Sequence, residues 1–101
     1  MSTTLTVSKN DNEITIKLGK RFDFNIVDAF REAYSAHDAS GKNHIIDFRE
    51  TEYMDSSGLG MLLNMRRHLG DDNAKISLIN CRPQIRKILT ISRFDMKFRI
   101  N

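Results

Sequence analysis

The 101-residue sequence predicts a mixed α/β domain. Two observations carry this: a strict period of two at Glu13–Leu18, and apolar residues at helical spacing in three later segments, two of them preceded by short β-branched runs. The order read is β-β-α-β-α-β-α-β, a mixed β-sheet with an N-terminal antiparallel hairpin followed by parallel β-α-β crossovers. The length bounds the chain to a single domain over residues 1–101.

Each element has its own signal. Ile14, Ile16 and Leu18 alternate on one face of a strand, and Leu5 and Val7 repeat the pattern more weakly. Asn10, Asp11 and Asn12 between them suit a turn, because Asn and Asp tolerate left-handed backbone. After Gly19 the period becomes helical at Ile26, Ala29, Phe30, Ala33 and Tyr34, with Asp23 or Asn25 available to cap the start. The stretch Ala39–Asn43 separates this helix from Ile45-Ile46-Asp47-Phe48, a buried central strand. Leu59, Leu62, Leu63, Met65 and Leu69 make a second helix, ended by Gly70 and Asp71-Asp72. Lys75–Ile79 reads as a strand. Pro83, at a first turn where its missing N–H costs nothing, opens a helix with Ile85, Ile88 and Leu89. Met96, Phe98 and Ile100 alternate as a final strand.

Composition narrows the function classes. With 40% hydrophobic and 29% charged residues the chain is neither disordered nor fibrous. The single Cys81 excludes an intramolecular disulfide. There is no apolar run of membrane-spanning length and no signal-peptide layout, so a cytoplasmic location without a membrane partner is expected. Net charge is +3, but residues 82–101 hold six Lys and Arg against Asp95 alone. These cations interleave with Ile85, Ile88, Leu89 and Ile91, which reads as a solvated helix face, so no nucleic-acid partner is expected. His37, His44 and His68 are dispersed, without metal-site spacing or a serine-base arrangement. Nucleophile-elbow, P-loop and dinucleotide signatures are absent, so neither enzyme activity nor a cofactor or metal is expected.

One segment stands out: Thr51-Glu52-Tyr53-Met54-Asp55-Ser56-Ser57-Gly58-Leu59-Gly60. Two glycines in the first turns of a helix each cost about 1 kcal/mol relative to Ala. Either they admit a partner close to the backbone, or they let the helix pack tightly. Asp55, Ser56 and Ser57 are all competent N-caps, yet capping needs only one. The excess leaves a hydroxyl at a positively polarised helix end.

The run Glu52–Leu63 resembles the signature of the STAS family, in particular its anti-sigma factor antagonists, where Asp-Ser-Ser/Thr-Gly-Leu-Gly opens a helix after a buried strand. Gly19 with Phe22-Asp23, and Asn80 with Pro83-Gln84-Ile85, resemble the family's flanking junctions. The segment after Phe98 is short for the final packed helix that members usually carry. The resemblance implies a STAS-like domain in which Ser56 is the phosphoacceptor. It implies a kinase of the GHKL type, often itself the anti-sigma factor, as partner, and a PPM-type serine phosphatase that restores the serine. Around Ser56 it implies a partner-facing set of Asp23, Met54, Asp55, Ser57, Gly58, Leu59 and Gly60. Asp55 either caps the helix or positions the hydroxyl, Ser57 is structural or a second acceptor, and Met54, Met61 and Met65 are contact surface or core. Some STAS domains instead serve transporters or lipid-export machinery as regulatory subunits without a phosphorylation cycle.

Overall fold

The computed structural model describes residues 5–35 and 42–101. The N-terminal residues 1–4 and residues 39–41 of the expected separator lie outside these. The elements are β1 (Leu5–Lys9), β2 (Glu13–Leu18), β3 (Arg21–Phe22), α1 (Val27–Ser35), β4 (Asn43–Asp47), β5 (Tyr53–Met54), α2 (Ser56–His68), β6 (Ile76–Ile79), α3 (Pro83–Ile91) and β7 (Arg99–Ile100). Five strands form one sheet in the order β1-β2-β4-β6-β7, antiparallel at the β1–β2 hairpin and parallel elsewhere. The predicted α/β class, the opening hairpin and the parallel crossovers are all present, with β4 central.

From β2 onward each new strand is added on the same side of the previous one. Right-handed crossovers then place all three helices on one face of the sheet. The register agrees. Ile14 and Ile16 stand opposite His44 and Ile46, which stand opposite Ile76 and Leu78, and all six are buried. The alternate positions Thr15, Lys17, Ile45, Asp47, Ser77 and Ile79 are only half-buried. The helices contribute Phe30, Ala33 and Tyr34 from α1, Met61, Leu62 and Met65 from α2, and Ile85 and Leu89 from α3. Met61 and Met65 are therefore core. Each full burial of such a side chain is worth roughly 1.5–3 kcal/mol. Phe22 joins the layers, its ring 5.1 Å from Phe30 and 5.9 Å from Phe48 in tilted and edge contacts. Cys81 is half-buried, and that burial pushes its thiol up.

Two features differ from the sequence expectation. β3 and β5 form a separate two-stranded parallel sheet, too short to show any period. The final strand is only Arg99–Ile100, because Arg93 turns left-handed (φ 61°) after α3 and Phe94–Met96 form a 3-10 turn. Phe94 and Phe98, four residues apart, then stack at 5.3 Å, so an apparent alternation is in fact a turn with a helical offset.

Candidate functional site

The site lies where the chain leaves β4 and enters α2. Thr51, fully buried, donates its hydroxyl to the Gly19 carbonyl at 2.9 Å, and the Glu52 and Tyr53 amides donate to the Lys20 carbonyl at 2.8 and 3.1 Å. Arg21 and Phe22 then pair in parallel with Tyr53 and Met54. The segment after β2 and the segment before α2 are thereby stitched together, which fixes the direction in which α2 starts.

Asp55 is the N-cap of α2, in extended backbone (φ −117°, ψ −172°). Its Oδ1 accepts from the Ser57 amide at 3.0 Å, the Gly58 amide at 3.3 Å and the Ser57 hydroxyl. These donors satisfy amides that a helix start leaves open. The Ser57 hydroxyl bond is the main reason that the Asp55 carboxyl sits below its usual range; desolvation opposes it, and the Gly58 and Ser57 amides add to the lowering. Of the two readings of Asp55, capping is the one its hydrogen bonds display. Ser57 is held by Asp55. Ser56, the first residue of the helix, is exposed, and its hydroxyl makes no hydrogen bond among the described residues.

The two glycines differ sharply. A Cβ on Gly58 would lie 2.8 Å from Met54 Cγ and 2.9 Å from the Phe22 carbonyl oxygen, whereas one on Gly60 would meet nothing within 4 Å. Gly58 is thus the contact through which α2 presses onto the β3–β5 pair, and Gly60 faces open space. Met54 is buried at 5% exposure beneath that contact, and Leu59 is half-buried against the core. Of the predicted partner-facing set, Met54 and Gly58 lie inside the fold, Asp55, Ser57 and Leu59 at its boundary, and Gly60 at its surface.

Asp23 is only 7% exposed and caps the 3-10 turn Phe24–Ile26, accepting from the Asn25 amide at 3.0 Å. Its other oxygen holds Arg21 Nε at 3.1 Å, and the Arg21 guanidinium lies 4.1 Å over the Tyr53 ring. Phe24 beside it is 69% exposed and Tyr53 41%. Sequence reasoning passed over Thr51, Arg21, Phe24 and Tyr53 as site residues. An aromatic directly before the Met-Asp-Ser-Ser run was a signal for Tyr53, but nothing local marks Thr51 as a buried strut. On the far side of β4, Asn80, in left-handed backbone after β6, donates from Nδ2 to Asp47 at 3.0 Å.

A one-sided α/β slab whose rim presents an aspartate-capped helix and an exposed serine is a specific class of small domain. Residues 5–99 match the family described as "Mlab, STAS domain", and the chain belongs to the STAS family. A STAS-domain containing protein of Pseudomonas aeruginosa (strain UCBPP-PA14) is 45% identical over 101 residues, the whole of both chains. Among solved structures, an anti-sigma factor antagonist from Mycobacterium paratuberculosis superposes with a TM-score of 0.81 at 22% identity, covering 96% of this chain and 83% of that one. The Bacillus cell fate determinant SpoIIAA in its phosphorylated form gives 0.73 at 23% identity, covering 96% and 90%. These two likenesses are of fold.

Proposed function

We propose that this domain is a protein-binding switch controlled by phosphorylation of Ser56. The observation that carries the reading is the division of labour in Asp55-Ser56-Ser57: Asp55 caps the helix and holds Ser57, leaving the Ser56 hydroxyl exposed and unbonded among the described residues. In this reading the unmodified domain binds a GHKL-type kinase that is an anti-sigma factor or a similar regulator. Phosphorylation of Ser56 ends that binding and a PPM-type phosphatase restores it. The domain is then substrate and binding module rather than enzyme.

The physical consequences are favourable. A phosphoserine adds roughly −1.5 to −2 charges and three acceptor oxygens. At the first residue of a helix it meets a favourable dipole, worth about 0.3–2 kcal/mol, while the neighbouring Asp55 carboxylate opposes it. Among the described residues no bond of the fold is lost, because the Ser56 hydroxyl makes none there. A docked partner, in contrast, must desolvate the new charge, and about 1.4 kcal/mol is already tenfold in affinity.

Fragment mass spectra of protein purified from its native cell should place phosphate on Ser56; phosphate found only elsewhere, or under no condition, removes the reading. With the co-purified partner, Ser56→Ala should keep binding and Ser56→Glu should weaken it at least about tenfold with little change in melting temperature. Unfolding by Ser56→Glu would mean a stability effect instead.

A further inference from the structure

Two apolar side chains stand almost wholly outside the fold at one corner. Ile91, at the end of α3, is 71% exposed, and Met96, in the 3-10 turn that follows, is 79% exposed. Phe94 and Phe98 of the same corner are buried at 4%, so the turn has a filled inner side and a bare apolar outer side. Lys87 lies one helical turn before Ile91 on the same face of α3. Arg86, Lys87, Arg93, Lys97 and Arg99 are all exposed, and no ion pair engages any of them among the described residues. Asp95 is the single acid in residues 82–101.

This combination discriminates among partners. A stable protein interface buries about 800 Å² per side and is poor in lysine at its centre, whereas here two apolar side chains stand among Lys and Arg. Nucleic acid would reward the cations but gains little from Ile and Met side chains on a convex turn. An anionic bilayer rewards both, since its headgroups take the cations and the acyl boundary takes the apolar side chains. We propose that the α3–β7 corner docks on anionic phospholipid headgroups, with Ile91 and Met96 entering the interface. The sequence pointed away from a membrane partner because no segment is long enough to span one, and no helix among the described residues is long and apolar enough to cross. A surface contact needs no span. Since β6 and β7 are parallel, α3 runs back between them and ends at the opposite rim of the sheet from the start of α2. Docking therefore leaves Ser56 accessible.

Co-sedimentation of the full chain with vesicles tests the proposal. Vesicles containing phosphatidylglycerol should pellet it, phosphatidylcholine vesicles alone should not, and high salt should release it. The double substitution Ile91→Glu with Met96→Glu should weaken pelleting at least about tenfold. Its melting temperature should not change, because neither side chain is buried. The sequence has no tryptophan, so Ile91→Trp adds a single fluorophore whose emission should shift to the blue only with the anionic vesicles. Absence of pelleting and of the shift overturns the proposal. So does pelleting that survives the double substitution, which would be diffuse charge attraction. A double variant that instead loses a higher-mass species would assign the patch to contact between copies, and would also overturn it.

Discussion

At the scale of single residues, Gly58 and Gly60 occupy the same helix two positions apart and make opposite predictions. A methyl on Gly58 runs into the Phe22 carbonyl, which is backbone and has little room to move. Gly58→Ala should therefore destabilise by about 1–3 kcal/mol in chemical denaturation, as overpacking does. Gly60→Ala, in an exposed helix interior with open space, should stabilise by roughly 0.5–1 kcal/mol. If Gly60 lies under a docked partner, the same substitution should weaken binding while the domain grows more stable. The motif itself was legible from residue types, since three caps where one suffices, followed by two helix-weakening glycines, are anomalous in any sequence. Which glycine served packing was not legible, because it depends on the Phe22 carbonyl, 36 positions away in the chain and adjacent only through the fold.

At the scale of elements, the central strand β4 carries a buried histidine at its second position. His44 is 1% exposed, its Nδ1 lies 3.3 Å from the Lys42 carbonyl, and its Nε2 has no partner among the described residues. Burial holds its pKa below the usual value; the Lys42 carbonyl opposes this, and the charges of Lys42 and His68 reinforce it. The folded state thus keeps His44 neutral while the unfolded chain takes up a proton near pH 6.5. Stability should be fully present above that pH and decline as pH falls below it, until the lower folded value is reached. The slope approaches about 1.4 kcal/mol per pH unit for one proton. Thermal melts between neutral and mildly acidic pH should show the decline, and His44→Phe should flatten it. A buried central strand was readable in Ile45–Phe48, though its alternating burial was not, and the two-residue strands β3 and β5 were not readable either, since two residues carry no period. The last strand was read too long for a related reason: Met96, Phe98 and Ile100 alternate in type, while the backbone follows a left-handed turn at Arg93 that no local pattern announces.

At the scale of the whole molecule, the domain measures 35 × 31 × 20 Å, thin in one direction because a single helical layer covers one face of the five-stranded sheet. Alternating strands and helices were enough to infer parallel crossovers, but strand order is a long-range property. It was the order β1-β2-β4-β6-β7, each strand added in one direction, that put the helices of the described residues on one sheet face. The polar Thr15, Lys17, Asp47 and Ser77 on the other face are the trace of the arrangement in the sequence, which Ile45 and Ile79 obscure. A helix that returns across the sheet also separates its two ends, and the nine residues of α3 span about 13 Å. Ionic screening at physiological salt acts over roughly 8 Å, so a charge placed on one rim is nearly silent at the other. Phosphate on Ser56 should leave vesicle binding by the Ile91–Met96 corner unchanged, measurable by repeating the sedimentation with the Ser56→Glu chain. By setting the two rims a helix length apart, the returning helices let one attachment stay constant while the other is switched.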